Sequence, residues 1–467
     1  MPSYTMPNKK MTFQEKELEI LRDAVDKAEE RAGRIIAQSD EVKGIIEIVE
    51  DFLRTKKLVC YGGTAINNII PVEDRFYNKN VEVPDYDFFS SDALDDAKEL
   101  ARKYVESGYS DVEAKSGAHA GTFKVFVNFI PVADVTQLNK ELFKTVSRDA
   151  IKVNGILYAP PNYLRMAMYL ELSRPAGDVS RWEKVLKRLI LLNKNYPIDN
   201  PKCGDVSFMR DFEGDKKSKN RLYDTVRESL ADQGLVFFGG YASSLYGKYM
   251  PKEQKKQVDE SPDFDVLSMD PNTSAIILKE RLTDAGFKDV KIHKKAGIGE
   301  VIAPHYEVTV GKDTVCFIYK PLACHSYNEI HIDGSIVNVA TIDTMLSFYL
   351  AFLYANRPYY DHDRILCMAQ YLFNVQSKNR LKQKGLLKRF SINCYGKQLT
   401  RSDMRSNKAE KFEELKSKRG TKEYDEHFLR YFPGREGCQK KQTRTKSKRK
   451  KKGTRKIPVR RILGVEL

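Results

Sequence analysis

Two aspartates, Asp85 and Asp87, flank a single tyrosine in the stretch VPDYDFFS, which otherwise reads as a buried strand. Side chains alternate faces along a strand, so both carboxylates point one way and Tyr86 the other. Two carboxylates that close cannot both ionise cheaply unless a cation lies between them. A divalent ion resolves the conflict, and Mg²⁺ prefers one or two carboxylates together with waters and phosphates. Asp134, in PVADVTQL, closes a later apolar stretch that could lie beside the first and supply a third oxygen ligand. Three carboxylates can hold two metals about 3.5–4 Å apart, the clamp for in-line phosphoryl transfer. Upstream, Gly62-Gly63-Thr64 offers close backbone approach at the start of a helix, where free N–H groups and the helix dipole suit a triphosphate. Each feature alone has an ordinary reading: a turn, a solvated pair, a helix cap. Their order in one segment is what points to chemistry.

The elements that must carry these residues follow from periodicity. In EVKGIIEIVEDFLRTKK the apolar residues Val42, Ile45, Ile46, Val49, Phe52 and Leu53 recur at helical spacing. LVCYGG is a short strand entering the glycine turn, and TAINNII begins a helix. DYDFFS is a strand. Phe123, Val125, Val127 and Phe129 alternate with polar residues, which predicts one strand from Gly121 that ends at Asp134. LRMAMYLEL and SRWEKVLKRLILLNK are helical, and FQEKELEILRDAVDKAEE predicts a solvated leading helix.

The whole arrangement recurs. LVCYGGTAINNII and PDYDFFS are matched by LVFFGGYASSLYG from Leu235 and PDFDVLS from Pro262. Downstream, APPNYLRMAMYLELSRP faces ATIDTMLSFYLAFLYANRP, both helical runs ending in Arg-Pro. Three similar blocks in the same order predict two copies of one unit. The second copy keeps Gly239, Gly240, Asp263 and Asp265 but lacks a third acid. A loose alignment sets Cys324 against Asp134, with Glu307 and Asp313 as other partners. A thiol is a poor ligand for Mg²⁺, so the second copy is expected to be degenerate, its aspartates solvated or neutralised by local lysines.

The predicted fold class is α+β: two tandem units, each a mixed sheet flanked by helices, with further helical segments and a disordered basic C-terminal tail. The expected boundaries are a helical leader at 1–40, the first unit at 41–200, the degenerate unit at 201–380, an extension at 381–438 and a tail at 439–467. The 467 residues carry a net charge of +16. Lys440 to Lys456 hold eleven Lys and Arg and no acid, which leaves +5 elsewhere. Such a run repels itself and suits nucleic acid, with Lys440, Lys441, Lys448, Arg449, Lys450, Lys451 and Lys452 as candidate RNA contacts. Seven scattered cysteines without a C-x-x-C pair argue for a reducing compartment and against a disulfide scaffold or zinc finger. The apolar run 345–355 is too short to span a bilayer, and no secretory leader is expected. In YYDHDR, Asp361 reads better as a helix cap than as a metal ligand.

The pattern YGGTAIN, PDYDFFS, VADVTQL resembles the nucleotidyltransferase superfamily of the DNA polymerase β type. With the late block LRYFPGRE it resembles the poly(A) polymerases of large nucleocytoplasmic DNA viruses, over most of the chain from about Glu41 to Arg435. The resemblance implies template-independent transfer of AMP from ATP to an mRNA 3′ end, with pyrophosphate leaving. Asp85, Asp87 and Asp134 would hold two Mg²⁺ or Mn²⁺ ions, and Asp134 could take the proton of the 3′-hydroxyl. Gly62, Gly63 and Thr64 would grip the triphosphate, Tyr163 and Arg165 would contact base or ribose, and Arg181, Lys184 and Lys187 would neutralise phosphates. It also implies host cytoplasm or virion as location, with a nuclear address open, no membrane, and a homodimer or a processivity subunit as partner. Two other readings stay open: another RNA nucleotidyltransferase, CCA-adding or oligonucleotide-synthesising, and a catalytically silent RNA-binding subunit that inherits the fold.

Overall fold

The computed structural model describes residues 12–78, 80–208, 210, 215–250, 263–299, 301–332 and 334–433. The basic run from Lys440, including Lys441, Lys448, Arg449, Lys450, Lys451 and Lys452, lies outside them. The first sheet is built from β1 (Val59–Cys60), β2 (Tyr86–Ser90), β3 (Val112–Ser116), β4 (Thr122–Val127), β5 (Ile130–Gln137), β6 (Ile151–Val153) and β7 (Ile156–Tyr158). The second comprises β8 (Val236–Phe238), β9 (Phe264–Leu267), β10 (Val290–Lys295), β11 (His305–Val310), β12 (Asp313–Tyr319), β13 (His325–Ile332) and β14 (Ser335–Ala340). Two late strands, β15 (Cys394–Tyr395) and β16 (Arg430–Tyr431), extend one sheet each.

The strand orders establish the repeat. The sheets run β16-β3-β4-β5-β2-β1-β7-β6 and β10-β11-β12-β9-β8-β14-β13-β15. Shifting the first seven labels by seven converts one order into the other. Pairing directions agree too: β2 runs parallel to β5 and β9 parallel to β12, while β1–β2 and β8–β9 are antiparallel. These are mixed sheets with helices against them, the α+β class expected.

The first sheet gains its rigidity from the face away from the aspartates. Helix 40–56 is capped by the Ser39 hydroxyl, which accepts from the Val42 amide, and it buries Val42, Ile45, Val49, Phe52 and Leu53. Tyr86 and Phe88 point to that side, with Phe88 at 6.5 Å from Phe52. Burying a Phe side chain contributes about 1.5–3 kcal/mol, so packing holds the Asp-bearing strand on this layer, and Tyr86 adds a hydrogen bond to Glu50 of the helix. Tyr104, on helix 93–106, donates to the Ile45 carbonyl at 2.7 Å and ties the two helices.

The single strand predicted from Gly121 is a hairpin. Asn128 and Phe129 take φ of +48° and +67°, the two-residue turn whose twist suits antiparallel strands. Asn-Phe is not a usual sequence for that turn, and alternation continues across it, so periodicity concealed the reversal. Asp134 therefore sits inside β5, not at a strand end.

The two units meet through corresponding helices, Pro161–Leu172 and Ile342–Phe352, each following the strand that pairs parallel with the first strand of its sheet, β7 with β1 and β14 with β8. Tyr163 packs edge-on against Tyr354 at 5.2 Å across this joint, and Arg357 pairs with Glu141 at 2.7 Å. Cysteine usage departs from expectation: Cys203–Cys367 and Cys324–Cys394 are paired. The partners lie 164 and 70 residues apart, a separation that local spacing rules do not see. Among the described residues no helix is long and apolar enough to cross a membrane, and the leading helix 13–37 is exposed along nearly its whole length.

Candidate active site

Register brings the aspartates together. Asp87 on β2 lies directly beside Asp134 on β5, and Asp134 lies opposite Lys124 on β4. Asp85 immediately precedes β2 on the same face. Gly62 takes φ +73°, and a Cβ there would fall 2.7 Å from the Asp87 carboxylate. Only glycine suits that backbone and that approach. Helix 62–69 starts at this point with no side chain capping it, so its first amides remain available beside the carboxylates.

A cleft of about 410 Å³ opens here. One wall carries Asp85 and Asp87, the floor Gly63 and Thr64, and the other wall Arg181, Lys184 and Arg188. The basic residues follow from helical spacing, since positions 181, 184 and 188 share one face of helix 182–195 and its approach. Arg188 is held firmly. It stacks on Phe76 and Tyr77 at 5.1 and 5.5 Å and donates to the Tyr77 hydroxyl. The 76–77 backbone is in turn fixed by Asn67, whose side-chain oxygen accepts both amides at 2.9 Å. A Cβ on Gly63 would lie 2.9 Å from the Arg188 guanidinium, so the second glycine makes room for a charge rather than for a turn.

The acidic wall is short of cations. Among the described residues neither Asp85 nor Asp87 has an ion-pair partner, while Asp134 pairs with Lys124. Burial first, then Asp85 and Asp134, push the Asp87 carboxyl up to about 7. Asp85 faces the open cleft, yet the cleft walls strip enough water from it to raise its pKa, with Asp134 adding to the shift. One Asp134 oxygen, Oδ1, is buried without a hydrogen-bond partner. Among the described residues no three His, Cys, Asp or Glu side chains close into a ready metal cage. The three aspartates form an open edge instead. Crowded carboxylates with an orphaned oxygen fit a cation that completes its shell with water and substrate phosphate.

The second unit shows the same joint with its charge already met. Gly239 takes φ +77° and its Cβ position would fall 2.0 Å from an Asp265 oxygen, as in the first unit. There the guanidinium of Arg210 binds Asp263 at 2.7 Å and reaches Asp265 at 3.6 Å, and Arg364 approaches Asp263 at 3.4 Å. Against burial, the two carboxylates hold Arg210 protonated well beyond its ordinary range. The strand register pairs Asp265 with Phe317, so Phe317, not Cys324, stands where Asp134 stands. Arg210 lies over that ring at 4.7 Å. Cys324 is bonded to Cys394, and Glu307 pairs with Lys295 at 2.8 Å on the neighbouring strand. Arginines, not solvent or lysines, neutralise this pair.

Several expected contacts fall elsewhere. Tyr163 is buried against Phe89 and Tyr354 in the joint between the units. Arg165 is fully buried and bonds Asn193 at 2.7 Å, Asn162 and the Tyr196 carbonyl, at the far end of helix 182–195 from the cleft. Thr64 lines the cleft, but its hydroxyl donates to the Asp85 carbonyl at 2.8 Å, so it positions the acidic loop instead of offering its proton to a phosphate. Lys187 turns to Glu183 at 2.6 Å. Asp361 caps helix 362–378 as expected. Sequence reading missed Arg188 and Lys124. The first continues the spacing of Arg181 and Lys184, and the second is the polar step in an otherwise apolar face-alternating strand.

Comparison with known proteins agrees with this geometry. A family profile described as poly(A) polymerase catalytic subunit matches residues 47–178. A candidate poly(A) polymerase catalytic subunit of Acanthamoeba polyphaga mimivirus is 31% identical over 42% of this chain and 34% of its own length. One from African swine fever virus is 33% identical over 35% of each chain. The matched stretch thus spans about a third of these relatives. The crystal structure of the Megavirus polyadenylate synthase covers 96% of this chain and 93% of its own with a TM-score of 0.76, at 18% identity, and shares the fold. The glycine turn and all three aspartates fall within residues 47–178, the stretch that resembles the poly(A) polymerase catalytic subunit profile.

Proposed function

We propose that the first unit transfers AMP from ATP to the 3′-hydroxyl of an RNA without a template. The observation that carries this reading is the division of one cleft into an acidic wall (Asp85, Asp87, with Asp134 beside them) and a basic wall (Arg181, Lys184, Arg188), joined by an uncapped helix start. A nucleoside triphosphate fits with its β- and γ-phosphates toward the basic wall and the helix amides. Its α-phosphorus then lies toward Asp85 and Asp87. Asp134 lies beside Asp87 on the next strand, toward the side where an RNA 3′ end would approach, and its orphaned oxygen would complete the cation site. Two divalent cations held by the three aspartates would supply charge neutralisation and Lewis acidity. Phe317 and Arg210 remove both the third carboxylate and the cation vacancy from the second unit, so the chemistry is confined to the first. The same reading makes the substrate a viral mRNA in host cytoplasm or virion, with a second copy or a processivity subunit as partner.

The test is extension of a labelled oligoribonucleotide with each ribonucleoside triphosphate separately. A ladder with ATP alone, lost in folded Asp87→Ala, is expected. Removing two-metal and charge-preorganised catalysis of this kind costs several kcal/mol, at least a thousandfold on the order-of-magnitude scale for such sites. No extension by folded wild-type protein with any triphosphate would overturn the proposal.

A further inference from the structure

Helix 401–415 carries a basic stripe on its exposed face. Its start is fixed by a reciprocal Thr400–Asp403 cap and its far end by Phe412 against Phe428 at 5.4 Å. Arg401, Arg405 and Lys408 recur at the spacing of one helix face. At one end, Arg401 acts electrostatically on Asp178, which directly precedes the Arg181 turn of the basic wall. Seven residues on, about 10 Å along the helix, Lys408 donates to the Gly117 carbonyl at 3.2 Å, in the β3–β4 hairpin. That hairpin lies a few residues, about 10 Å, from Lys124 and Asp134 on the open face of the same sheet. The helix therefore runs from the turn that precedes Arg181 toward the β3–β4 hairpin. Arg401 and Arg405 are exposed and have no ion pair among the described residues, whereas Lys411, Lys416 and Lys418 on the same segment are all paired with glutamates.

We propose that this stripe guides the single-stranded RNA just upstream of the reacting 3′ end, which would lie between helix 401–415 and the open face of the first sheet. The proposal rests on the adenylyl-transfer reading for its choice of nucleic acid. Free guanidinium groups at regular spacing, continuous with the phosphate wall, suit a polyanion that must keep moving.

The test uses the full chain and a twenty-nucleotide oligoribonucleotide carrying 4-thiouridine near its 3′ end, irradiated without ATP and mapped by mass spectrometry. Crosslinks are expected in peptides covering 401–408 and 117–124. The double variant Arg401→Ala/Arg405→Ala is expected to raise the KM for RNA about tenfold and leave the KM for ATP within twofold. It should also reduce the slope of log affinity against log salt by about 1.4, the value for two phosphate contacts on a single strand. Both positions are exposed, so the unfolding midpoint should hold. Crosslinks only outside these peptides, or an unchanged KM for RNA, would overturn the proposal. Crosslinks at the stripe from a protein that adds no nucleotide would support the surface and defeat the activity, while activity with crosslinks elsewhere would do the reverse.

Discussion

Arg210→Met is the most informative single change in the second unit. The guanidinium binds Asp263 at 2.7 Å and Asp265 at 3.6 Å in a site where Asp263 is wholly buried. Without it, Asp263 retains Arg364 at 3.4 Å and Asp265 has no ion-pair partner among the described residues. Breaking one side of a buried ion pair costs about 3–5 kcal/mol, because the remaining charge stays desolvated. The lost contact with the Phe317 face adds about 1 kcal/mol. Domains are stable by about 5–15 kcal/mol in total, so the second unit should unfold far earlier in urea, visible as a separate transition or as loss of amide protection in β9 and β12. The triple variant Arg210→Met/Asp263→Asn/Asp265→Asn removes the charges together and should recover most of the loss. The single variant's deficit should shrink below about pH 6, because burial pushes the Asp265 carboxyl up to about 6 and protonating it relieves the stranded charge. A loss below about 1 kcal/mol, the scale of a surface pair, would refute the view that this guanidinium is the internal counter-charge of the unit.

Two further outcomes follow from the first unit. Arg188→Met should raise the KM for ATP about tenfold with kcat little changed, because a held guanidinium contributes to triphosphate binding before and during reaction alike; an unchanged KM would remove Arg188 from the phosphate wall. The metal-free protein should lose stability as pH rises from about 4 to about 7. Asp87 is pushed up to about 7 in the folded state against about 3.9 in an unfolded chain, so the folded form binds the extra proton across that window. Denaturation in chelator at stepped pH checks this. Asp87→Asn should flatten the profile, and parallel profiles for both proteins would contradict it.

The elements that depend on local pattern were legible. Helix 40–56, the glycine turn and the Asp-x-Asp strand each declare themselves through spacing, and the repeat was visible because three blocks kept their order. What escaped was set by register across strands. Lys124 reaches Asp134 only because β4 folds back through an unusual Asn-Phe turn, and a cross-strand neighbour leaves no trace in linear spacing. The same cause misplaced the lost ligand. Cys324 matched Asp134 by composition, while the ladder beside Asp265 selects Phe317. Family resemblance alone assigns Tyr163 and Arg165 to base or ribose, but their helix is the joint between the units, so both are consumed by packing.

The two copies together explain why an Asp-x-Asp pair survives where no chemistry remains. Gly62 and Gly239 hold the same positive-φ turn, and each leaves no room for a side chain beside the second aspartate. That carboxylate is therefore part of how the strand docks against the helix start, and deleting it would open a void beside a buried turn. The aspartates need a positive charge wherever they are kept. In the second unit Arg210 supplies it permanently and lies on the ring that replaced the third acid. In the first unit no cation among the described residues is placed between Asp85 and Asp87, one oxygen of Asp134 is orphaned, and the neighbouring wall is built of cations lining the same cleft. An unmet charge is costly to a fold that has shown it can meet the charge with a side chain. Its retention beside a basic cleft is best accounted for by a counter-charge that must arrive and leave with the substrate.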